Sequence, residues 1–282
     1  MGYHVPNSLS EALDIARLTG AKVIAGGTDV FPALGDAPAP AQMLDITRLP
    51  ELRGISHSGA TWRIGAATSW TDILKADLPP AFDALKLAAR EVGAWQIQNA
   101  GTVAGNICNA SPAADGVPPL LALAAEVELC SSNGSRTLPL KQMITGVRQT
   151  ALRPGELVSA ILIPDMPDGA QGHFQKLGTR KYLVISIAMV SAVIWTDEVA
   201  KIAGARVAVG SCSAVAQRLE GLEAALMGQN ASDLRDNSAI WTTHLTALSP
   251  LSDIRGTDHY RMNAAAELCR RTVLTCLQAC DE

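Results

Sequence analysis

Two glycine-bearing stretches constrain this chain more than any other feature in it. The first is Ala25-Gly26-Gly27-Thr28-Asp29. The second is Gly101-Thr102-Val103-Ala104-Gly105-Asn106, followed closely by Ser111-Pro112-Ala113-Ala114-Asp115. Both are small, hydroxyl-rich and open at the backbone. Phosphate binding needs N–H groups that can be approached closely, and glycine removes the Cβ that would block them. Neither stretch carries the lysine of a nucleotide-triphosphatase phosphate loop. Two such loops in one domain suggest a pyrophosphate gripped from two sides, and hence a dinucleotide such as FAD.

Local patterns place the loops. Ser8 and Glu11 form a capping-box pattern ahead of Leu9, Ala12, Leu13 and Ala16 at helical spacing, and Gly20 suits the helix stop. Lys22 to Ala25 reads as a short buried strand, so the first loop leaves a strand's carboxyl end, where α/β folds place ligands. Residues 43–75 read as short strands and turns with a brief helix near Thr71, and residues 81–92 as a helix. Thr102 to Asp115 reads as turn-rich. Val117-Pro118-Pro119 opens a helix running through Leu120 to Ala125. Glu126–Cys130 and Arg136–Leu140 bracket a hairpin turn at Ser131 to Ser135. A breaker cluster, Pro164 to Gly169, marks the expected boundary between a domain of residues 1–168 and one of residues 169–282. Beyond it, Val184–Trp195 and Lys201–Val209 read as paired strands, and Arg218–Met227 and Ala264–Cys280 as helices.

Composition removes several function classes. Hydrophobic residues make up 48% and charged residues 18% of the 282, so a buried core is expected and disorder is not. A net charge of −4 without a Lys/Arg-rich run offers nucleic acid no footprint. The six cysteines, at 108, 130, 212, 269, 276 and 280, form no Cys-x-x-Cys pair. Their spacing fits neither zinc nor iron–sulfur ligation, so no metal is expected on this chain and the thiols read as small buried hydrophobes. No signal-peptide core appears in the first fifteen residues, and the longest apolar run, Val184 to Trp195, is far short of a membrane span. A cytoplasmic location with no membrane span is the expectation.

Taken singly, each motif also has a bland reading. Gly-Gly-Thr-Asp is a turn, Asp115 a helix N-cap, Asn106 an αL residue, and Lys176 with Arg180 a solvated face or strand end. Asp29, whose charge would repel a pyrophosphate, suits a turn cap or a hydroxyl partner. Asp115 suits a ribityl or ribose hydroxyl, since an ionised carboxylate only accepts.

In order and spacing, the segments resemble the FAD-binding (medium) subunit of the xanthine dehydrogenase, or molybdenum hydroxylase, family. Ala25 to Val30 resembles its Ala-Gly-Gly-Thr-Asp-Leu loop, Thr102 to Asn106 its Thr-Ile-Gly-Gly-Asn loop, and Asn109 to Asp115 the stretch that follows. Lys176-Leu177-Gly178-Thr179-Arg180 with Ile185-Ser186-Ile187-Ala188 is similar to the segment beside the flavin ring. Asp253-Ile254-Arg255-Gly256-Thr257 with Tyr260-Arg261 is similar to an Asp-Val-Arg-x-Ser…Tyr-Arg signature. Ala104 departs from the pattern, which has glycine there.

The resemblance implies an α+β chain. A two-part FAD-binding fold, a small parallel βα unit beside a larger mixed sheet with FAD in the cleft between them, is followed by a small C-terminal antiparallel sheet with helices. It implies cofactor contacts from Val23, Ile24, Ala25, Gly26, Gly27, Thr28, Asp29 and Val30 around the pyrophosphate. Backbone donors come from Thr102, Val103, Ala104, Gly105 and Asn106, and hydroxyl partners from Ser111 and Asp115. Val158, Lys176 and Leu183 would lie near the flavin ring. Apart from the resemblance, reduced flavin is anionic, and a positive charge such as Lys176 beside it would stabilise it. No acid–base residue is implied. Partners would be a large subunit carrying the molybdenum cofactor and a small subunit with two 2Fe–2S clusters, in a dimer of heterotrimers. Electrons would leave FAD for NAD⁺, oxygen or another carrier. A flavin-free scaffold subunit is the alternative, with Ala104 as its support.

Overall fold

The computed structural model describes residues 2–280. Their Cα positions form two compact units that interleave along the chain. The first contains the chain up to Ala76 with Ala94–Ala110 and Ala125–Pro164. The second contains Asp77–Gly93, Ser111–Ala124 and the chain from Asp165 onward.

The first unit holds the parallel βα element and the larger sheet. Strands β1 (Gly2–His4), β2 (Lys22–Ile24) and β3 (Gln42–Asp45) form a three-stranded sheet in the order β1-β3-β2, with both pairings parallel. The helix Leu9–Thr19 connects β1 to β2. Ser8 caps it by accepting from the Glu11 N–H, and Gly20 ends it in the left-handed region at φ 60°. Its apolar face, Ala12, Leu13 and Ala16, packs with Leu44, Ile46, Leu49 and Leu52 in one core cluster. Each such leucine contributes roughly 1.5–3 kcal/mol on burial. Strands β4 (Ile55–Ser58), β5 (Thr61–Gly65), β6 (Glu126–Ser131), β7 (Gly134–Pro139) and β10 (Leu157–Pro164) form a five-stranded sheet ordered β4-β5-β10-β6-β7. Two short strands, β8 (Ile144–Gly146) and β9 (Gln149–Thr150), pair apart from it. The expected mixed sheet is antiparallel in each described pairing. Short connections explain two of these pairings: β4 and β5, and β6 and β7, are hairpins, which can only pair antiparallel.

In the second unit, β11 (Gln171–Leu177), β12 (Ala188–Thr196), β13 (Ile202–Gly210) and β14 (Gln217–Arg218) form a four-stranded antiparallel sheet. The helix Asp258–Cys280 covers β12. Ala265, Cys269, Val273 and Cys276 share a core with Ala188, Val190, Ala192 and Ile194. Cys130, Cys212, Cys269 and Cys276 are buried, whereas Cys108 is exposed. The Asp253…Arg261 motif has a structural role here. Arg261 is 4% exposed, donates to the carbonyls of Ile187 and Ser211, and pairs with Asp253 at 2.7 Å. One side chain thus ties the loops before β12, after β13 and before the last helix. The helix Asp83–Glu91 packs against β11, where a Cβ on Gly172 would sit 2.1 Å from the Ala81 carbonyl oxygen. No described helix is long and apolar enough to cross a membrane.

Candidate functional site

The first loop begins where β2 ends. Ile24 gives its carbonyl to the Ile46 N–H, and the chain then turns through Gly26 and Gly27 into the short helix Val30–Leu34. Gly27 lies at φ +67°, in the left-handed region that glycine adopts without strain. Among the described residues, the N–H groups of Gly26, Gly27, Thr28 and Asp29 have no protein acceptor, although Gly26, Gly27 and Thr28 are half-buried. Successive unpaired amides around a left-handed residue make an anion-binding concavity. Such a group of donors fits a pyrophosphate. The Asp29 side chain makes no capping bond and is exposed, so the turn-cap reading of it is not what the structure shows.

The second loop touches the first. A Cβ on Gly26 would lie 1.9 Å from the carbonyl oxygen of Ala100 and 2.8 Å from Cα of Gly101. One on Gly101 would lie 3.4 Å from Oγ1 of Thr28. Gly26 is therefore glycine so that the two loops can meet backbone to backbone. Gly101 is itself held, donating to Ile97 and accepting from the Trp70 N–H.

From Thr102 onward the turn-rich expectation is corrected: Val103–Asn109 is a helix. Thr102 caps it, its hydroxyl accepting from the Gly105 N–H at 3.0 Å. A Cβ on Gly105 would come within 2.8 Å of that hydroxyl, which is why glycine stands there. The expected set of backbone donors is correspondingly reduced. Val103 donates to Thr68, Gly105 to the Thr102 hydroxyl and Asn106 to the Thr102 carbonyl, which leaves the amides of Thr102 and Ala104. What meets the first loop is Ala100 and Gly101, just before this segment, and the segment itself offers fewer free donors than a second cradle would. Ala104 sits inside the helix and outside the positive-φ residues, so its methyl strains nothing.

Val158 is buried in β10 opposite Leu129, beside a bulge. Ser111, Asp115, Lys176 and Leu183 belong to the second unit. The Ser111 hydroxyl accepts from the Ala113 N–H. Leu183 is 55% exposed at φ +52°, in a turn whose carbonyls of Tyr182 and Leu183 both accept from the Arg180 guanidinium. Asp115 is not a helix N-cap, since the helix Val117–Ala122 starts after Gly116. It is 8% exposed, accepts from Lys176 Nζ at 2.8 Å on Oδ2, and from the Ser186 hydroxyl at 2.8 Å on Oδ1. Burial pushes its carboxyl above the ordinary aspartate range, and the Lys176 ammonium opposes that shift. Lys176, read from sequence alone as a solvated end, is instead a buried ion-pair partner. It lines a cavity of about 430 Å³ with Leu87, Glu91, Leu177, Arg180 and Val184. Glu91 and Ser186 were not among the expected site residues. Their link to Lys176 runs through the fold and leaves no spacing signal in the chain.

A family model described as the FAD binding domain in molybdopterin dehydrogenase matches residues 1–166. The chain belongs to this family. A second model, the CO dehydrogenase flavoprotein C-terminal domain, matches residues 173–276. The chain is 29% identical to the 6-hydroxypseudooxynicotine dehydrogenase complex subunit alpha of Paenarthrobacter nicotinovorans, covering 98% of this chain and 94% of that one. It is 30% identical to the xanthine dehydrogenase FAD-binding subunit of Escherichia coli O157:H7, covering 96% of this chain and 94% of that one. A chain of the crystal structure of the Cu,Mo-CO dehydrogenase, cyanide-inactivated form, superposes with a TM-score of 0.91 at 26% identity, covering 99% of this chain and 98% of that one. The FAD-binding medium subunit of a molybdenum hydroxylase is thus the family to which the two loops belong.

Proposed function

We propose that this chain is the electron-transfer flavoprotein subunit of a molybdenum-containing hydroxylase or dehydrogenase complex. The observation that carries the reading is the pair of loops held backbone to backbone at Gly26 and Ala100–Gly101, with four loop amides left unpaired. The chain's part is to bind and orient. The amides from Gly26 to Asp29 hold the pyrophosphate of FAD, flanked by Val23, Ile24, Ala25 and Val30. Ala100 and Gly101 fix the loop, the stretch from Thr102 to Asn106 adds the free amides of Thr102 and Ala104, and Ser111, Asp115, Val158, Lys176 and Leu183 serve the rest of the cofactor. FAD, when bound, supplies a carrier that accepts and releases electrons, while protein groups set its affinity and potential. No side chain of this chain is assigned acid–base work.

Substrate oxidation belongs in this proposal to a large partner subunit with the molybdenum cofactor. A small partner subunit with two 2Fe–2S clusters feeds electrons to FAD, and an external acceptor such as NAD⁺ or oxygen removes them. The assembly is a dimer of such heterotrimers in the cytoplasm. Residues 1–168 act as the FAD-binding domain and residues 169–282 as the C-terminal flavoprotein domain. The membership of a multi-subunit molybdenum-containing complex is supported by the family match and by relatives named as medium chains or subunits of such enzymes; the acceptor, the dimer, the location and the domain boundary are part of the proposal alone. The test is native purification of the chain, followed by its visible spectrum and identification of any acid-released cofactor. Close to one FAD per chain supports the proposal. A colourless chain that takes up no added FAD in the presence of its partners favours the scaffold alternative.

A further inference from the structure

We infer that Asp115 and Ser186 are positioning residues that act on the bound flavin through Lys176. This rests on the flavin reading above and deepens it. An ammonium has three donors. On Lys176 one meets Asp115 Oδ2 at 2.8 Å and a second the Glu91 carbonyl at 3.4 Å, which leaves one for a guest of the cavity that Lys176 lines. The side chains of the pair are only 6% and 10% exposed. Burying an ammonium is costly without a counter-charge beside it, and Asp115 supplies one. Ser186, 2% exposed, donates to the other carboxylate oxygen and so fixes the plane in which Oδ2 is presented. Both Asp115 oxygens are thereby turned to protein donors. That geometry suits an aiming device better than a direct acceptor for cofactor hydroxyls. The other charged groups facing the cavity are Glu91, Arg180 and Lys181, and Arg180 is occupied with the Tyr182 and Leu183 carbonyls.

A double-mutant cycle on the full chain, freed of flavin and titrated with FAD, tests this. The dissociation constant and the flavin midpoint potential are read together. In the otherwise wild-type chain, Asp115→Asn weakens FAD binding about tenfold, within the coupling range for residues of one network. It also shifts the potential upward, because an uncompensated cation then faces the reduced ring. In a Lys176→Met background Asp115 has lost its partner and takes up a proton. There the same substitution changes affinity less than about twofold and leaves the potential unmoved. Ser186→Ala follows the same pattern with smaller effects. Equal effects of Asp115→Asn in both backgrounds would show direct contact with the cofactor and overturn the inference. So would the absence of any effect in either. Should the Asp115→Asn single variant misfold, the Lys176→Met and Asp115→Asn/Lys176→Met chains still decide: a loss of less than about twofold between them supports the inference, and a loss of about tenfold would show direct contact with the cofactor and overturn it. A wild-type chain that binds no FAD would instead sink the flavin reading itself.

Discussion

Replacing Gly26 with alanine adds one methyl at the point where the two loops meet. That Cβ would stand 1.9 Å from the Ala100 carbonyl oxygen and 2.4 Å from its carbon. Ordinary contact begins near 3.5 Å, so the backbones must separate by roughly 1.5 Å. The second loop is anchored: Gly101 accepts from Trp70, which is 1% exposed. The first loop must therefore yield, at a cost of about 1–3 kcal/mol typical of overpacking. For a chain of this size that corresponds to a fall in Tm of about 2–4 °C per kcal/mol. The displaced amides are those assigned to the pyrophosphate. Losing two hydrogen bonds to a charged group, at about 1.5–3 kcal/mol each, weakens FAD binding about a hundredfold or more. Gly27→Ala is the control. It strains a residue at φ +67°, by about 1–2 kcal/mol, but its Cβ would clash with the half-exposed Phe31 ring, which can swing aside, and would touch Ile24 at an ordinary 3.8 Å. Flavin content per chain and thermal unfolding are measured on both variants. The reasoning fails if Gly26→Ala keeps full flavin and an unchanged Tm, or loses no more flavin than Gly27→Ala.

Two further outcomes follow from the same geometry. Thr102→Ala removes the cap on Val103–Asn109 and frees the Gly105 amide, destabilising the chain by about 1 kcal/mol in urea titration, whereas Thr102→Ser recovers most of it. Asp253 is held at a pKa of about 2 by the Arg255 amide and the Arg261 guanidinium, below its unfolded value of 3.8. Its stabilisation is present above pH 3.8 and disappears as pH falls through about 2. Asp253→Asn is accordingly less stable than the wild type at pH 6, and the gap closes on acidification. A gap that persists at pH 2 would mean that the charge of Asp253 is not what ties the loops.

Much of the local architecture was legible because short-range chemistry wrote it. Ser8 and Gly20 bound a helix because a hydroxyl and a left-handed glycine satisfy its ends. The turn at Ser132 and Asn133 joins β6 to β7, and the first loop leaves a strand as expected. Errors came where a longer-range contact outweighed composition. Val103–Asn109 looks like a turn because it is rich in small residues, yet the Thr102 cap and the bond from Val103 to Thr68 hold it helical. The last helix begins at Asp258 rather than Ala264, because its first turn is polar and its buried residue there, Arg261, carries a charge. The paired strand starts at Ala188 rather than Val184, after the positive-φ turn at Leu183. The Lys176–Asp115 pair spans 61 positions of sequence, and nothing local betrays it. The family resemblance placed both residues near the cofactor without showing that they bind each other. Interleaving of the segments 77–93 and 111–124 into the second unit was likewise invisible, since it follows from packing and not from any breaker cluster.

Amide hydrogen exchange on the full chain, with and without saturating FAD, tests the central claim most directly. The unpaired amides of Gly26, Gly27, Thr28 and Asp29 should exchange freely in the bare chain and slow sharply when FAD is bound. Val103, Gly105 and Asn106, already bonded within the protein, should change far less. FAD binding with unchanged exchange from Gly26 to Asp29 would contradict the account, because the pyrophosphate would then be held elsewhere.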